Sequence, residues 1–492
     1  MKGHWLTVCG LAVVFVATTA SAVESESLLA DAVSKKQHAV ARDLLEQRVD
    51  VNAAQVDGMT ALHWAVYHDD LKITKLLVAA GADVTAKNRY GVPPLSIACQ
   101  NGNTEIVELL LKAAADPNVT LRGDETLLMT AARTGKLGPV KALLAHNADV
   151  NVKERKGQTA LMWAAADGHA KVVDALIKAG ADFRTPLRSG FTPFFFAVRE
   201  GRTDVVFRLL NAGIDVNDVM QPESKSGKGP KAGTSPLILA VENGHFELAA
   251  ELLTAGASPN DDRCGFTALH TVTWVRKPIR GDGDPPPIGS GRLSSLEFVR
   301  ELVSHGADVN ARHRKQGAGN GRLNRTDATP FLLAAEAADV PLMQLLVDLG
   351  ADPLLQNADD CTPLLAAAGV GVLSNGDETA GTEDETIEAI RLLLKLGADI
   401  NAVDEDNNSA MHGAAYKSHT KLVQFLADHG ADVNVWNQEN SRHWTPLMIA
   451  QGHRPGNFRP SPETIVAVER IMRAGGIEPP DKPAAQTPHS QN

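Results

Sequence analysis

Apolar residues recur at helical spacing in short segments, two segments to a period of 33 residues. One pair reads Thr60-Ala61-Leu62-His63-Trp64-Ala65 and then Leu71 to Ala80, with Ile73, Leu76 and Leu77 on one helical face. The Thr60 hydroxyl predicts an N-terminal cap for the first helix. Gly81 predicts the left-handed residue that ends the second. An extended Asp83-Val84 and a polar turn at Gly91 lead into the next unit. The Gly81-Ala82-Asp83-Val84 motif returns at Gly180, Gly306, Gly350, Gly397 and Gly430, with looser copies at Arg48, Ala114, Asn147, Gly213 and Gly256. A second series, Thr60, Pro93, Thr126, Thr159 and Thr192, keeps the same step of 33. It resumes with stretched spacing at Ser235, Thr267, Thr329, Thr362, Ser409 and Thr445.

One helix pair cannot bury both of its faces, whereas stacked pairs can, so stability grows with repeat number. The fold expected is an all-α repeat solenoid. The openings Thr60-Ala61-Leu62-His63, Thr267-Ala268-Leu269-His270, Thr192-Pro193-Phe194 and Ser235-Pro236-Leu237 resemble the ankyrin repeat at fixed phase. So do the turns Gly168-His169 and Gly244-His245 and the Gly-Ala-Asp-Val-Asn copies. The resemblance covers roughly residues 28–477 and implies helix-turn-helix units joined by β-hairpin loops. About eleven to twelve units are expected, including a degenerate N-terminal one. Some openings depart from the family pattern, as in Val92-Pro93-Pro94-Leu95 and Glu125-Thr126-Leu127-Leu128-Met129, and most copies lack the motif histidine.

The ends read differently. Lys2, an apolar run from Leu6 to Val16 and the small residues Ala20-Ser21-Ala22 predict a signal peptide over 1–22 and a mature start at Val23. The repeat solenoid is expected over 23–477 and a Pro-rich disordered tail over 478–492. Five inserts, near 218–232, 275–291, 313–323, 370–384 and 452–462, interrupt the period with Gly, Pro and charge. The second, fourth and fifth should fall between the two helices of a unit, the other two between units. Arg280-Gly281-Asp282 is read as loop sequence, not as an adhesion motif.

The chain has 492 residues and a formal net charge of −11, which argues against a general nucleic-acid binder. No later stretch is apolar for long enough to span a bilayer. Beyond Cys9, the three cysteines Cys99, Cys264 and Cys361 form neither a disulfide framework nor a paired metal motif. No nucleophile-elbow, P-loop, dinucleotide or zinc-protease pattern occurs, and no cofactor or metal is expected. His63, His270 and His412 share one phase and are expected to hydrogen-bond at helix starts, and Trp64, Trp163 and Phe196 to pack between repeats. The charge is uneven: between Asp359 and Asp406 stand twelve acids and two bases.

One pattern exceeds what the fold requires. Two residues before the glycine position of each loop tip stand Arg89, Arg122, Arg155, Arg188, Lys231, Arg263 and Arg325, in the loops of repeats two to eight. This cationic ladder, with Tyr90, Arg133 and Arg199, is the expected partner-binding surface. Tyr67, His68, Gln100, Asn101 and Glu242 are further contact candidates on the concave side. The resemblance implies a non-enzymatic protein-binding scaffold. With a signal peptide, it would be a bacterial protein, exported to the periplasm or secreted, monomeric, and matched to a partner with an acidic surface. An accessory subunit of a periplasmic enzyme and a secreted effector are the alternatives.

Overall fold

A computed structural model describes residues 27–223, 231–277, 287–314, 323–371, 381–453 and 459–480. The signal-peptide segment, Arg280-Gly281-Asp282 and the tail beyond 480 lie outside the described residues. Those residues hold twenty-five helices. The chain divides into two compact units. Unit 1 runs to Leu187 and takes in Thr192–Ala197 and Asp204–Ala212; unit 2 holds Arg188–Phe191, Val198–Thr203 and the chain from Gly213 onward.

Each repeat is built as its residues dictate. In repeat two the Thr60 side chain accepts from the His63 backbone N–H, and the helix Ala61–Tyr67 follows. The Asp70 carboxylate caps the second helix, Leu71–Ala79, through the Ile73 N–H. Gly81 then turns the chain at φ +89°, a conformation that costs a residue without Cβ little. Ser235, Thr329, Thr362 and Thr445 cap their own first helices in the same way. The faces turned inward, Leu62, Val66, Ile73 and Leu77 in this repeat, are at most 1% exposed. The degenerate first unit forms helices Leu28–Ser34 and His38–Glu46, and the last helix runs Pro462–Ala474.

Two features differ from expectation. Among the described residues the loops do not form paired strands; extended pairing is limited to the isolated bridges Ala54–Thr60, Thr120–Thr126 and Val403–Ser409. The loops are therefore tight fingers built from turns. After Gly430, the segment expected to enter a finger instead makes a short helix, Val433–Trp436, because the large Trp436 ring buries itself to 2% exposure.

Neighbouring repeats are joined by asparagine side chains and finger amides. Asn151 donates to the Gly180 carbonyl at 3.1 Å and accepts from the Asp182 N–H at 2.8 Å. Asn52, Asn118, Asn217, Asn260 and Asn401 repeat this clamp within their own units. The phase-conserved histidines add a second link. In repeat two, His63 Nδ1 accepts from the Thr60 N–H at 3.2 Å, and Nε2 lies 3.1 Å from the Val92 carbonyl. The bond at Nδ1 sets the proton on Nε2, which donates to the next repeat. His270 and His412 do the same toward Ala328 and Gln438. Burial lowers the affinity of all three imidazoles for a proton, so each is held neutral.

The insert that begins at Val275 does not hang loose where it is described. Its returning segment packs onto the inter-helix turn of the preceding repeat: the Ser290 N–H donates to His245 Nδ1 at 2.8 Å and the Arg292 N–H to Glu247 at 2.8 Å. A Cβ on Gly289 would meet the Gly244 carbonyl oxygen at 1.7 Å, so only glycine allows this approach.

Candidate functional site

The ladder position begins as a backbone position. In the finger of repeat two the Arg89 N–H donates to the Asp57 carbonyl at 2.8 Å, and in repeat four Arg155 reaches the Gly123 carbonyl at 3.1 Å. In later repeats Ala358, Glu405 and Ser441 occupy the same phase and donate the same bond, to Thr326, Asp359 and Asp406. The finger contact therefore needs an amide and not a cation. The side chain at this phase is left over for other work.

The seven cations divide by what they touch. Arg89 is exposed, but its Nη2 donates to the Val56 carbonyl at 2.9 Å. Arg263 is held by the nearly buried Asp261 carboxylate at 2.5 Å and donates to the Asn217 carbonyl at 2.7 Å. Lys231 lies 4.8 Å over the Phe266 ring and next to Glu242. Arg325 is half-buried, 5.8 Å over the Trp274 ring and 3.9 Å from Glu336. Arg188 projects freely, its side chain 93% exposed with a loose 3.7 Å approach to Glu223. Arg122 and Arg155 are exposed, and neither side chain makes a hydrogen bond or ion pair to any described residue. The three least engaged cations are thus Arg122, Arg155 and Arg188.

The other candidates also separate. Tyr67 and Tyr90 are exposed, at 58% and 77%, and Gln100 is exposed. Arg133 lies 5.6 Å over the Trp163 ring with Glu125 at 3.6 Å, and Arg199 pairs with Glu200 and covers Phe191. His68 and Asn101 are committed to structure: His68 Nε2 meets the Ser34 carbonyl at 2.9 Å, and Asn101 donates to the Val66 carbonyl at 2.8 Å. Burial pushes the Glu242 carboxyl up to about 7. A group that is half protonated near neutrality makes a poor fixed charge.

The fixed-phase ladder overlooks Lys87, Lys153 and Lys156, which are exposed on the same fingers of unit 1. The total charge of each finger, rather than one column of the repeat, would have found them. It also overlooks Val56, 90% exposed at a finger tip.

No three His, Cys, Asp or Glu side chains gather as a metal set among the described residues, and no described helix is long and apolar enough to cross a membrane. The three described cysteines are unpaired. Burial raises the Cys99 thiol to about 12 and Cys264 to about 11, far from a thiolate at neutral pH. Glu383, Asp384 and Glu385 form the first turn of the helix Glu383–Lys395, where Glu385 completes a capping box with Thr382.

Stacked helix pairs that present a row of finger tips define a helical-repeat scaffold. A family model for ankyrin repeats in three copies matches residues 29–121, 128–220 and 380–457, and a single-repeat model matches 232–263. The chain belongs to the ankyrin repeat family, whose repeats mediate binding to protein partners. Between the matched stretches the structure continues the same pairs, as in Pro330–Glu336 with Val340–Asp348. Human ankyrin repeat and SOCS box protein 6 is 31% identical over 213 residues, 40% of this chain and 46% of the relative. The mouse B-cell lymphoma 3 protein homolog is 29% identical over 182 residues, covering 32% and 38%. Mouse inversin is 29% identical over 98 residues, covering 20% and 8%. The chain spans less than half the length of each of these relatives.

Proposed function

We propose that this protein is an exported, monomeric, non-enzymatic scaffold that captures a protein partner with an acidic surface on its concave finger-and-first-helix surface. The observation that carries the reading is the finger position itself. Ala358, Glu405 and Ser441 make there the backbone bond that Arg89 and Arg155 make, so the fold does not require a cation at this phase. Exposed cations contribute ~0–1 kcal/mol each to an ion pair, so several must act together.

The test is affinity capture from the native cell with the full chain and with the triple variant R122E, R155E and R188E. The partner recovered by the native chain should fall roughly tenfold or more with the variant, because each reversal replaces an attraction by a repulsion. Equal recovery would sink the reading. All three side chains are exposed, so the variant should melt like the parent.

Export rests on the pattern of residues 1–22, which also motivates the bacterial assignment. The mature protein is expected to begin at Val23 and to fractionate with the periplasm or the medium. An intact N-terminus on cytosolic protein would overturn it.

A further inference from the structure

We infer that unit 1 binds a linear segment of its partner that carries one apolar anchor with carboxylates three and six residues away. This inference rests on the basic-surface reading and adds to it an anchor, a spacing and a place.

The anchor site lies on repeat two. Tyr67, at the end of its first helix, Tyr90, on its finger, and Val56, on the preceding finger that Arg89 holds, are 58%, 77% and 90% exposed. Tyr67 packs edge-on against Trp64, ring centroids 5.6 Å apart, and against His68 at 5.4 Å, which holds an exposed ring in a set orientation. Exposed aromatic rings with limited freedom suit a buried anchor, since little side-chain entropy is lost on contact.

The charge site lies on the following repeats. Arg122 and Arg155 project from the next two fingers without side-chain partners among the described residues, and Arg133 stands between them on a first helix. A second, separate observation points to an acceptor here. In repeat two the Trp64 indole N–H donates to Gln55 at 2.7 Å. In repeat five the equivalent Trp163 Nε1 is buried and has no hydrogen-bond partner. The residue in the place of Gln55 is Glu154, whose Oε1 accepts from the Lys156 and Gln158 backbone amides and does not reach the indole. A buried donor without an acceptor is costly, and here it lies under the Arg133 guanidinium. A partner carboxylate that joins Glu125 at Arg133 would supply the missing acceptor after a rotation of the indole. A basic partner would meet three arginines, so the charge selects an acidic segment.

The spacing follows from two lengths. Packed helices of adjacent repeats lie about 8–10 Å apart. An extended chain advances about 3.3 Å per residue, so roughly three ligand residues span one repeat. From the anchor on the finger of repeat two, the fingers carrying Arg122 and Arg155 are one and two repeats away.

The test uses the full chain and two fluorescein-labelled peptides in fluorescence anisotropy. One has a central phenylalanine with glutamates three and six residues to either side in a Gly/Ser background, which serves both chain directions. The other has the same composition with the glutamates clustered beside the phenylalanine. The native chain should bind the spaced peptide roughly fivefold or more tightly, and replacing Tyr67 and Tyr90 by serine should erase that preference. An unchanged thermal midpoint for the variant shows that the repeats stay folded. Equal binding of the two peptides overturns the inference, and so does binding of neither. If equal binding disappears in R122E with R155E, the basic-surface reading stands while the anchor and spacing fail.

Discussion

Replacing Lys417 by methionine is expected to destabilise unit 2 by about 3 kcal/mol, although the residue touches no proposed partner surface. Lys417 is 1% exposed, and its ammonium donates to the Ala367 carbonyl at 3.2 Å. Burial lowers its pKa to about 8, opposed by the nearby Glu336 carboxylate. Burial also raises the Glu336 carboxyl, opposed by Arg325 and Lys417, and its Oε2 has no hydrogen-bond partner among the described residues. The lysine stem crosses Gly369, where a Cβ would meet Lys417 Cγ at 2.8 Å. The interior thus holds a lysine and a carboxyl that influence each other electrostatically, with Arg325 a further cation 3.9 Å from the same carboxyl. K417M takes one of two cations from a desolvated carboxyl, which is the costly outcome; K417M with E336L removes that carboxyl as well and should return most of the loss, since Arg325 keeps its place over the Trp274 ring. Denaturant midpoints of the three proteins decide it. A K417M protein within about 0.5 kcal/mol of the parent would show that the pair is not a coupled unit.

The second large effect is on acid stability, through His270. In the unfolded chain this imidazole takes a proton near pH 6.5, but in the fold only near 3, because burial outweighs the Ala328 hydrogen bond. His313 and Arg325 oppose the charged form further, the His313 ring centroid lying 5.5 Å away. The stability contributed by neutral His270 is therefore complete above pH 6.5 and is lost as the pH falls from 6.5 toward 3. One such proton is about 1.4 kcal/mol per pH unit. His412 and His419, both lowered to about 4, act with the same sign. Glu242, raised to about 7, and Asp404, raised to about 6, act with the opposite sign, since the folded state takes their protons first. The net acid loss is smaller than three histidines alone would give. Between pH 6 and 4, H270Q should flatten the pH slope of unit 2 stability by about 1.4 kcal/mol per unit. A slope equal to the parent's would contradict a neutral, buried His270.

What could be read from sequence was whatever repeats. Thr60, Asp83 and Gly81 announce caps and turns because each satisfies a local backbone need at one phase, and stacking follows from the period. The role of His63, His270 and His412 was readable for the same reason. Departures came from single side chains with no counterpart in other repeats. Trp436 is one, making a helix where a finger was expected. Lys417 and Glu336 are another case, because their electrostatic coupling relates positions 81 residues apart that share no local pattern. The ladder was visible as a column of cations, but its division was not. Whether an arginine binds Asp261, a Trp274 face or only solvent depends on neighbours brought in by the fold. The orphaned Trp163 N–H arises from a difference between Gln55 and Glu154 that matters only once both fingers are formed.

On the proposed function, partners meet the finger tips and first helices, with Arg122, Arg155 and Arg188 carrying the charge. Hydrogen exchange of the full chain with and without its captured partner tests this most directly. Slowed exchange is expected over residues 86–91, 119–124, 152–157 and 185–190 and at the ends of the adjoining first helices, with the second helices unchanged. Protection confined to second helices such as Leu71–Ala79 and Ala170–Lys178, with the fingers unaffected, would contradict it.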